Sequence, residues 1–156
     1  MKKKEVILIG SDHAGFSLKE GIKPYLEGRG FKAKDVGAYS RECCDYPTFA
    51  YELAKAISAK KYSRGILICK SGIGNSIVAN RLPGVRAALC YNITAARLSR
   101  EHNDSNVLVL GSAFVNRLLA RRITGVWLNT QFQGGRHKRR LNQIRAIEKR
   151  ISEGMT

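Results

Sequence analysis

Acidic residues are scarce in this chain: 12 Asp and Glu stand against 28 Lys and Arg in 156 residues, a formal net charge of +16. That imbalance points to anionic partners, because a large positive potential draws phosphates and raises the rate of encounter. Nucleic acid, an acidic membrane and phosphorylated metabolites all fit it, and a basic surface can also serve solubility alone. Long apolar runs are lacking too. The longest, 6–9 and 107–110, are far too short to span a bilayer, and no signal-like stretch opens the chain, so it reads as soluble and cytoplasmic with no membrane partner. Cysteine is sparse: Cys43, Cys44, Cys69 and Cys90 show neither C-x-x-C metal spacing nor the density of a disulfide scaffold. Reduced thiols and no metal site follow. No repeat, low-complexity tract or linker divides the chain, so 1–156 reads as one domain, large enough for its own core.

What is present is an alternation. Short β-rich apolar runs at 6–9, 31–36, 65–69, 86–90 and 107–110 are separated by stretches with apolar residues at three- and four-residue spacing, at 16–26, 48–59, 74–81, 93–100 and 115–126. This is the pattern of parallel strands joined by crossover helices. It predicts an α/β fold: a doubly wound, three-layer α/β/α sandwich on a five-stranded parallel sheet. A further helix over 138–151 carries Leu141, Ile144, Ile147 and Ile151 on one face, and residues 136–156 form a basic C-terminal element. That apolar stripe has to dock somewhere.

In such sheets ligands gather beyond the carboxyl ends of the strands. Polar loops stand there: Ser11-Asp12-His13-Ala14-Gly15 after the first strand, Lys70 to Ser76 after the third, and Glu101-His102-Asn103-Asp104 before the fifth. Cys69 ends the third strand, and Gly72-Ile73-Gly74 can turn tightly with backbone N–H groups pointing inward at a helix start. A thiol there, with Lys70 adjacent, is expected to have a lowered pKa. The alternative is an inert small hydrophobe, the reading that also fits Cys90.

Three known loops fail against this segment. A phosphatase loop needs Arg six residues after its Cys, where Asn75 stands; a nucleotide phosphate loop needs Gly-Lys-Ser/Thr at its end, whereas Lys70 precedes the glycines; a dinucleotide fingerprint needs three spaced glycines after the first strand. Only three histidines exist, His13, His102 and His137, each read as lying in a polar loop or at a helix start. Asp12 could orient an imidazole or bind sugar hydroxyls, and His102-Asn103 could supply an acid and a hydrogen-bond partner. Arg136 and Arg140, one helical turn apart, could close on one phosphate or could belong to a solvated basic face.

Taken in order, Ser11-Asp12-His13-Ala14-Gly15, Asp45-Tyr46-Pro47, Cys69 with Ser71-Gly72-Ile73-Gly74 and Ser76, Ala79-Asn80, Leu98-Ser99-Arg100, His102-Asn103-Asp104 and Gly134-Gly135-Arg136-His137 resemble the ribose/galactose isomerase family, in its type B ribose-5-phosphate isomerase branch. The resemblance covers nearly the whole chain. It implies a Rossmann-like sheet, no cofactor or metal, and a homodimer or dimer of dimers whose active sites are completed by two subunits. It also implies aldose–ketose isomerisation of ribose 5-phosphate and ribulose 5-phosphate. In that reading Cys69 moves a proton between C2 and C1 through an enediolate, and backbone donors from Ser71 through Gly72, Gly74, Asn75 and Ser76 hold the oxyanion. His102, aided by Asp12 or Ser71, opens the furanose ring. His13, Arg136 and Arg140 anchor the phosphate, and Tyr46 and Asn103 line the sugar path.

Two positions depart from the family pattern. Lys70 stands where the family usually has Gly, and Ala113 where it usually has an Arg able to bind phosphate; Arg117, one turn on, is a candidate substitute. The related galactose-6-phosphate isomerases divide their site between two different subunits, whereas this chain carries a full set, which favours ribose 5-phosphate. Another pentose or hexose phosphate remains an alternative. So do a non-catalytic sugar-phosphate sensor and a nucleic-acid binder using the basic tail, although that tail has few aromatics for base stacking.

Overall fold

The computed structural model describes residues 2–155; Met1 and Thr156, the ends of the expected domain and basic tail, lie outside the described residues. Five strands, β1 (Val6–Ser11), β2 (Lys32–Asp35), β3 (Arg64–Cys69), β4 (Ala87–Leu89) and β5 (Val107–Gly111), pair in parallel in the order β2-β1-β3-β5-β4. The three central strands read as unbroken apolar runs because both their faces are covered. Ile7, Ile9, Ile66, Ile68, Leu108 and Leu110 pack with Trp127 beneath α1 (Phe16–Gly28), α4 (Ile93–Asn103) and α5 (Arg117–Asn129). Leu8, Leu67, Val107 and Val109 pack on the other face beneath α2 (Tyr46–Ser58) and α3 (Ile73–Ala79). The three-layer α/β/α sandwich expected from the alternation is therefore present.

Boundaries shift where local chemistry overrides periodicity. Helix α2 begins two residues early, since Pro47 in its first turn has the fixed φ that a helix start accepts. Helix α4 runs three residues past the expected end, to a left-handed cap at Asp104, φ 44°. His102 and Asn103 consequently sit on its last turn and not in a loop.

The last helix, α6 (Arg136–Ser152), buries Leu141, but Ile144, Ile147 and Ile151 remain 43%, 48% and 56% exposed. The expected apolar stripe thus docks on its own chain at one end only. Among the described residues no helix is long and apolar enough to cross a membrane.

One buried ion pair braces the edge of the sheet nearest the site. Lys19 on α1 is fully buried and donates to Asp35 (2.7 Å) and to the Ala38 carbonyl, while Lys23 reaches the other Asp35 oxygen at 3.0 Å. Burial alone would raise the Asp35 pKa, but hydrogen bonds from Lys19, the Gly37 amide and Lys23 outweigh it and hold the carboxyl below its ordinary value. A depressed carboxyl pKa contributes stability that is complete above the unfolded value, near pH 3.9, and is lost as pH falls through the folded one. Asp35→Asn, which strands the Lys19 charge, is expected to cost about 3 kcal/mol at pH 7. Urea unfolding midpoints should show the gap between variant and wild type closing below about pH 4.

Candidate active site

The chain leaves β1 toward β2 on one side and leaves β3 toward β4 on the other, so a crevice opens between their carboxyl ends. In the β1 loop the Asp12 carboxylate, 6% exposed, accepts the Gly15 amide at 2.9 Å. Gly15 lies so close to the Ile68 carbonyl that a Cβ there would collide with β3. Ser112, after β5, donates its hydroxyl to the Ala14 carbonyl (2.9 Å), tying three loops together.

Cys69 ends β3 at 4% exposure, and the Gly72 amide donates to its sulfur at 3.2 Å. Gly72 adopts φ +81°, and any Cβ would strike Leu89 and the Leu110 backbone, so only glycine makes this turn. The turn is braced from β5 by Ser112 and Ala113 amides donating to the Cys69 and Lys70 carbonyls, and from β4 by the Tyr91 hydroxyl donating to the Ser71 carbonyl (2.8 Å). Tyr91 in turn stacks on Phe114, centroids 4.8 Å apart. Tyr46 lies directly against Gly74, where no side chain would fit beneath its ring. The Ser71 hydroxyl accepts the Ile73 amide, and the Ser76 hydroxyl donates to the Ile73 carbonyl. Asn75 is 1% exposed, and neither atom of its side-chain amide has a partner.

The expected lowering of the Cys69 pKa is reversed. Burial pushes the thiol above its ordinary value, and the nearby Asp12 charge adds to that; the amides of Gly72, Asn75 and Ser71 oppose both without overcoming them. Lys70, the cation expected to help, is solvent-exposed. Because the neutral form predominates below the folded pKa, alkylation of Cys69 by iodoacetamide should accelerate as pH rises. Half-maximal rate is expected above about pH 8.5, the ordinary thiol value. Mass mapping of Cys69 against pH checks this. Cys90 is buried, and desolvation pushes its thiol to about 11, as an inert core residue requires.

His13 is oriented by Cys44, a residue with no expected role. The Cys44 amide donates to His13 Nδ1 at 3.1 Å, and the Cys44 carbonyl stands 3.0 Å from the same nitrogen. Both contacts hold the ring through Nδ1, which leaves Nε2 free to meet an anion. Cys44 precedes the Asp45-Tyr46-Pro47 motif, and that adjacency was the only available signal.

A second cluster forms elsewhere. His102 and His137 stack with centroids 4.2 Å apart and planes 11° from parallel. Burial, then the charges of His102, Arg136 and Arg140, hold His137 below the ordinary imidazole pKa. Arg136 and Arg140 project into solvent one turn apart on α6, and Asn103 is exposed at the end of α4, its carbonyl taken by Arg86.

The two groups do not meet within one chain. Cys69 is registered with Gly111 at the carboxyl end of β5, whereas His102 lies just before the amino end of that strand, where Gly65 pairs with Val107. The four steps between those rungs amount to about 13 Å of strand. Asp12, His13, Tyr46, Cys69, Ser71, Gly72, Gly74, Asn75 and Ser76 therefore stand together at the carboxyl end of the sheet, and His102, Asn103, Arg136 and Arg140, with His137, form a second cluster toward its amino end. Arg117 does not substitute for the missing arginine at Ala113, since its side chain lies over Gly21 on α1. Among the described residues no three His, Cys, Asp or Glu side chains are grouped to hold a metal.

Known proteins resemble this chain over most of its length. A family model described as Ribose/Galactose Isomerase matches residues 7–144. Ribose-5-phosphate isomerase B of Escherichia coli is 46% identical over 144 residues, covering 92% of this chain and 97% of that protein. The solved structure of Clostridium thermocellum ribose-5-phosphate isomerase B superposes with a TM-score of 0.91 at 47% identity, covering 94% and 99% of the two chains. That of the Mycoplasma genitalium enzyme with bound ribulose-5-phosphate does so with 0.90 at 38%, covering 95% and 99%. With the family model matching residues 7–144 and relatives 46% and 47% identical over more than nine-tenths of its length, the chain belongs to the ribose/galactose isomerase family.

Proposed function

We propose that the chain acts as one sugar-phosphate isomerase domain that interconverts ribose 5-phosphate and ribulose 5-phosphate, with Cys69 as the proton-transferring base. The observation that carries this reading is the Cys69 sulfur at the end of β3, facing amides that favour negative charge. The thiolate takes the C2 proton of the open-chain aldose as a C1–C2 double bond forms and the carbonyl electrons move onto O1; a proton passes from the C2 hydroxyl to O1, and as the C2 carbonyl forms the proton held by sulfur returns to C1 to give the ketose. Amides of the Gly72 turn stabilise the enediolate oxygen, an arrangement strongest in a dry site. His13 Nε2–H serves the phosphate. His102 transfers the proton that opens the ring.

Each cluster is then one half-site, and two copies are needed, because the half-site on α4 and α6 lies toward the opposite end of the sheet from Cys69 of its own chain. In the proposed homodimer the partner brings its copy of that half to the crevice, and the exposed Ile144, Ile147 and Ile151 ridge supplies apolar area for the contact. All four cysteines are free thiols, a state that fits a reducing cytoplasm.

The test is turnover of ribose 5-phosphate by purified protein, with ribulose 5-phosphate formation followed directly and a panel of other pentose and hexose phosphates alongside. Preference for ribose 5-phosphate, undiminished by a chelator, supports the proposal. Saturable binding with no product would overturn it in favour of a sensor. Better turnover of another sugar would keep the chemistry and change the substrate, and the exposed Lys70 and Ala113 at the loop ends are then the first positions to revert, as Lys70→Gly and Ala113→Arg.

A further inference from the structure

Two groups stand out among the chain's arginines. Arg64, Arg86, Arg100 and Arg121 are anchored: Arg64 clasps Glu5 at 2.9 and 2.7 Å, Arg86 and Arg100 reach Asp104 and backbone carbonyls, and Arg121 caps the Gly21 carbonyl. Such residues hold the fold. Arg29, Arg97 and Arg122 behave differently. They come from three helices, α1's end, α4 and α5, and line one groove of about 540 Å³ on the outer face of that layer. Arg29 lies over the Tyr25 ring at 5.5 Å; among the described residues Arg97 and Arg122 have no hydrogen-bonded or ion-paired partner. No acidic residue lines the groove.

Three guanidinium groups brought to one concavity repel one another, and without a counter-charge each gives up favourable pairing available elsewhere on the surface. The groove also has an apolar side. Tyr25, Ile93 and Val126 line it, and Gly125 lets the Tyr25 hydroxyl end come down onto α5, where any Cβ would collide with it. Asn129 adds a side-chain amide at the edge.

We propose that this groove binds an organic polyphosphate of the nucleoside di- or triphosphate class, at a site separate from the isomerase crevice. The arginines grip a chain of phosphates by charge-assisted, forked hydrogen bonds, which suit guanidinium better than ammonium. The apolar wall takes the base. The volume lies within the ~300–1,000 Å³ typical of small-molecule sites. A nucleic-acid strand would instead call for a continuous basic track with aromatic platforms, and only one ring stands here.

The experiment is calorimetric titration of the full chain with ATP, ADP, inorganic tripolyphosphate and a short single-stranded RNA. ATP is expected to bind more tightly than tripolyphosphate. Arg29→Gln/Arg97→Gln/Arg122→Gln should weaken ATP by at least about tenfold, equivalent to about 1.4 kcal/mol, with the unfolding midpoint and ribose 5-phosphate kinetics unchanged. The single variant Arg122→Glu should also weaken it. Lys138→Gln/Arg139→Gln/Lys149→Gln, which removes basic charge from α6 but leaves the groove intact, should not. No ATP binding by wild type, equal loss in the α6 variant, tripolyphosphate binding as tightly as ATP, or RNA binding more tightly than ATP through these arginines would each overturn the proposal. None of these results depends on isomerase turnover, so the two readings fail separately.

Discussion

Cys69→Ala is expected to lower kcat for ribose 5-phosphate by about a thousandfold or more, with KM changed only a few-fold, because a general base typically contributes 10²–10⁴ and no substitute stands at the end of β3. The nearest carboxylate, Asp12, is committed to the Gly15 amide and buried beside the sulfur. In the proposed reaction phosphate capture falls to His13, Arg136 and Arg140, so binding should survive. Cys69→Ser should be nearly as inactive, since a hydroxyl in the same buried place does not ionise near neutrality. A direct readout is exchange of the C2 hydrogen of ribose 5-phosphate with deuterated water, measured by NMR: wild type exchanges or transfers it, and Cys69→Ala leaves it in place. Wild-type turnover in Cys69→Ala would remove the sulfur from the mechanism. The substitution removes a small buried group at a strand end, so folding should persist, verifiable by an unchanged cooperative unfolding curve.

At a ribose 5-phosphate concentration far below the KM of the arginine variant, mixing two variants that each turn over poorly is expected to restore activity. Cys69→Ala damages the half-site on β3, and Arg136→Ala/Arg140→Ala damages the half-site on α6, which a single chain holds at opposite ends of the sheet. Random reassortment of equal amounts makes half the dimers mixed, and each mixed dimer has one site with both halves intact and one with both broken. The mixture should therefore recover about a quarter of wild-type activity. Activity equal to the sum of the two parents, after subunit exchange has been verified by mass, would show that each chain completes its own site. The arginine variant alone should raise KM far more than it lowers kcat, since it loses binding to a phosphate remote from the reacting carbons.

Much of this was legible in the residues. The central strands announce themselves because Val6 to Ile9, Gly65 to Cys69 and Val107 to Leu110 are covered on both faces, which leaves no polar position to interrupt the run. Edge strands were blurrier: β2 reads Lys-Ala-Lys-Asp and β4 only Ala-Ala-Leu, so their limits came out too wide. The Cys69 turn was visible through Gly72 and Gly74, whose absent side chains are required by Leu110 and Tyr46. Its electrostatics were not. Adjacency of Lys70 suggested a stabilised thiolate, but consecutive residues at a strand end point opposite ways, and the lysine reaches water while the sulfur enters the protein. Nor could spacing reveal that His13 leans on Cys44, 31 residues away, or that Tyr91 holds Ser71 from across the sheet. Such contacts depend on how loops from different strands meet.

Helix α6 carries the two guanidinium groups near its start and the bare isoleucine ridge along the rest of its length. In the proposed homodimer, anion capture and self-association are thereby mounted on one rod, so the act of pairing is what carries the guanidinium groups to the partner's crevice. Specific activity should consequently fall when the protein is diluted below the concentration at which pairs dissociate, and saturating sugar phosphate, by gripping both chains at once, should hold the pairs together at dilutions where the empty protein comes apart.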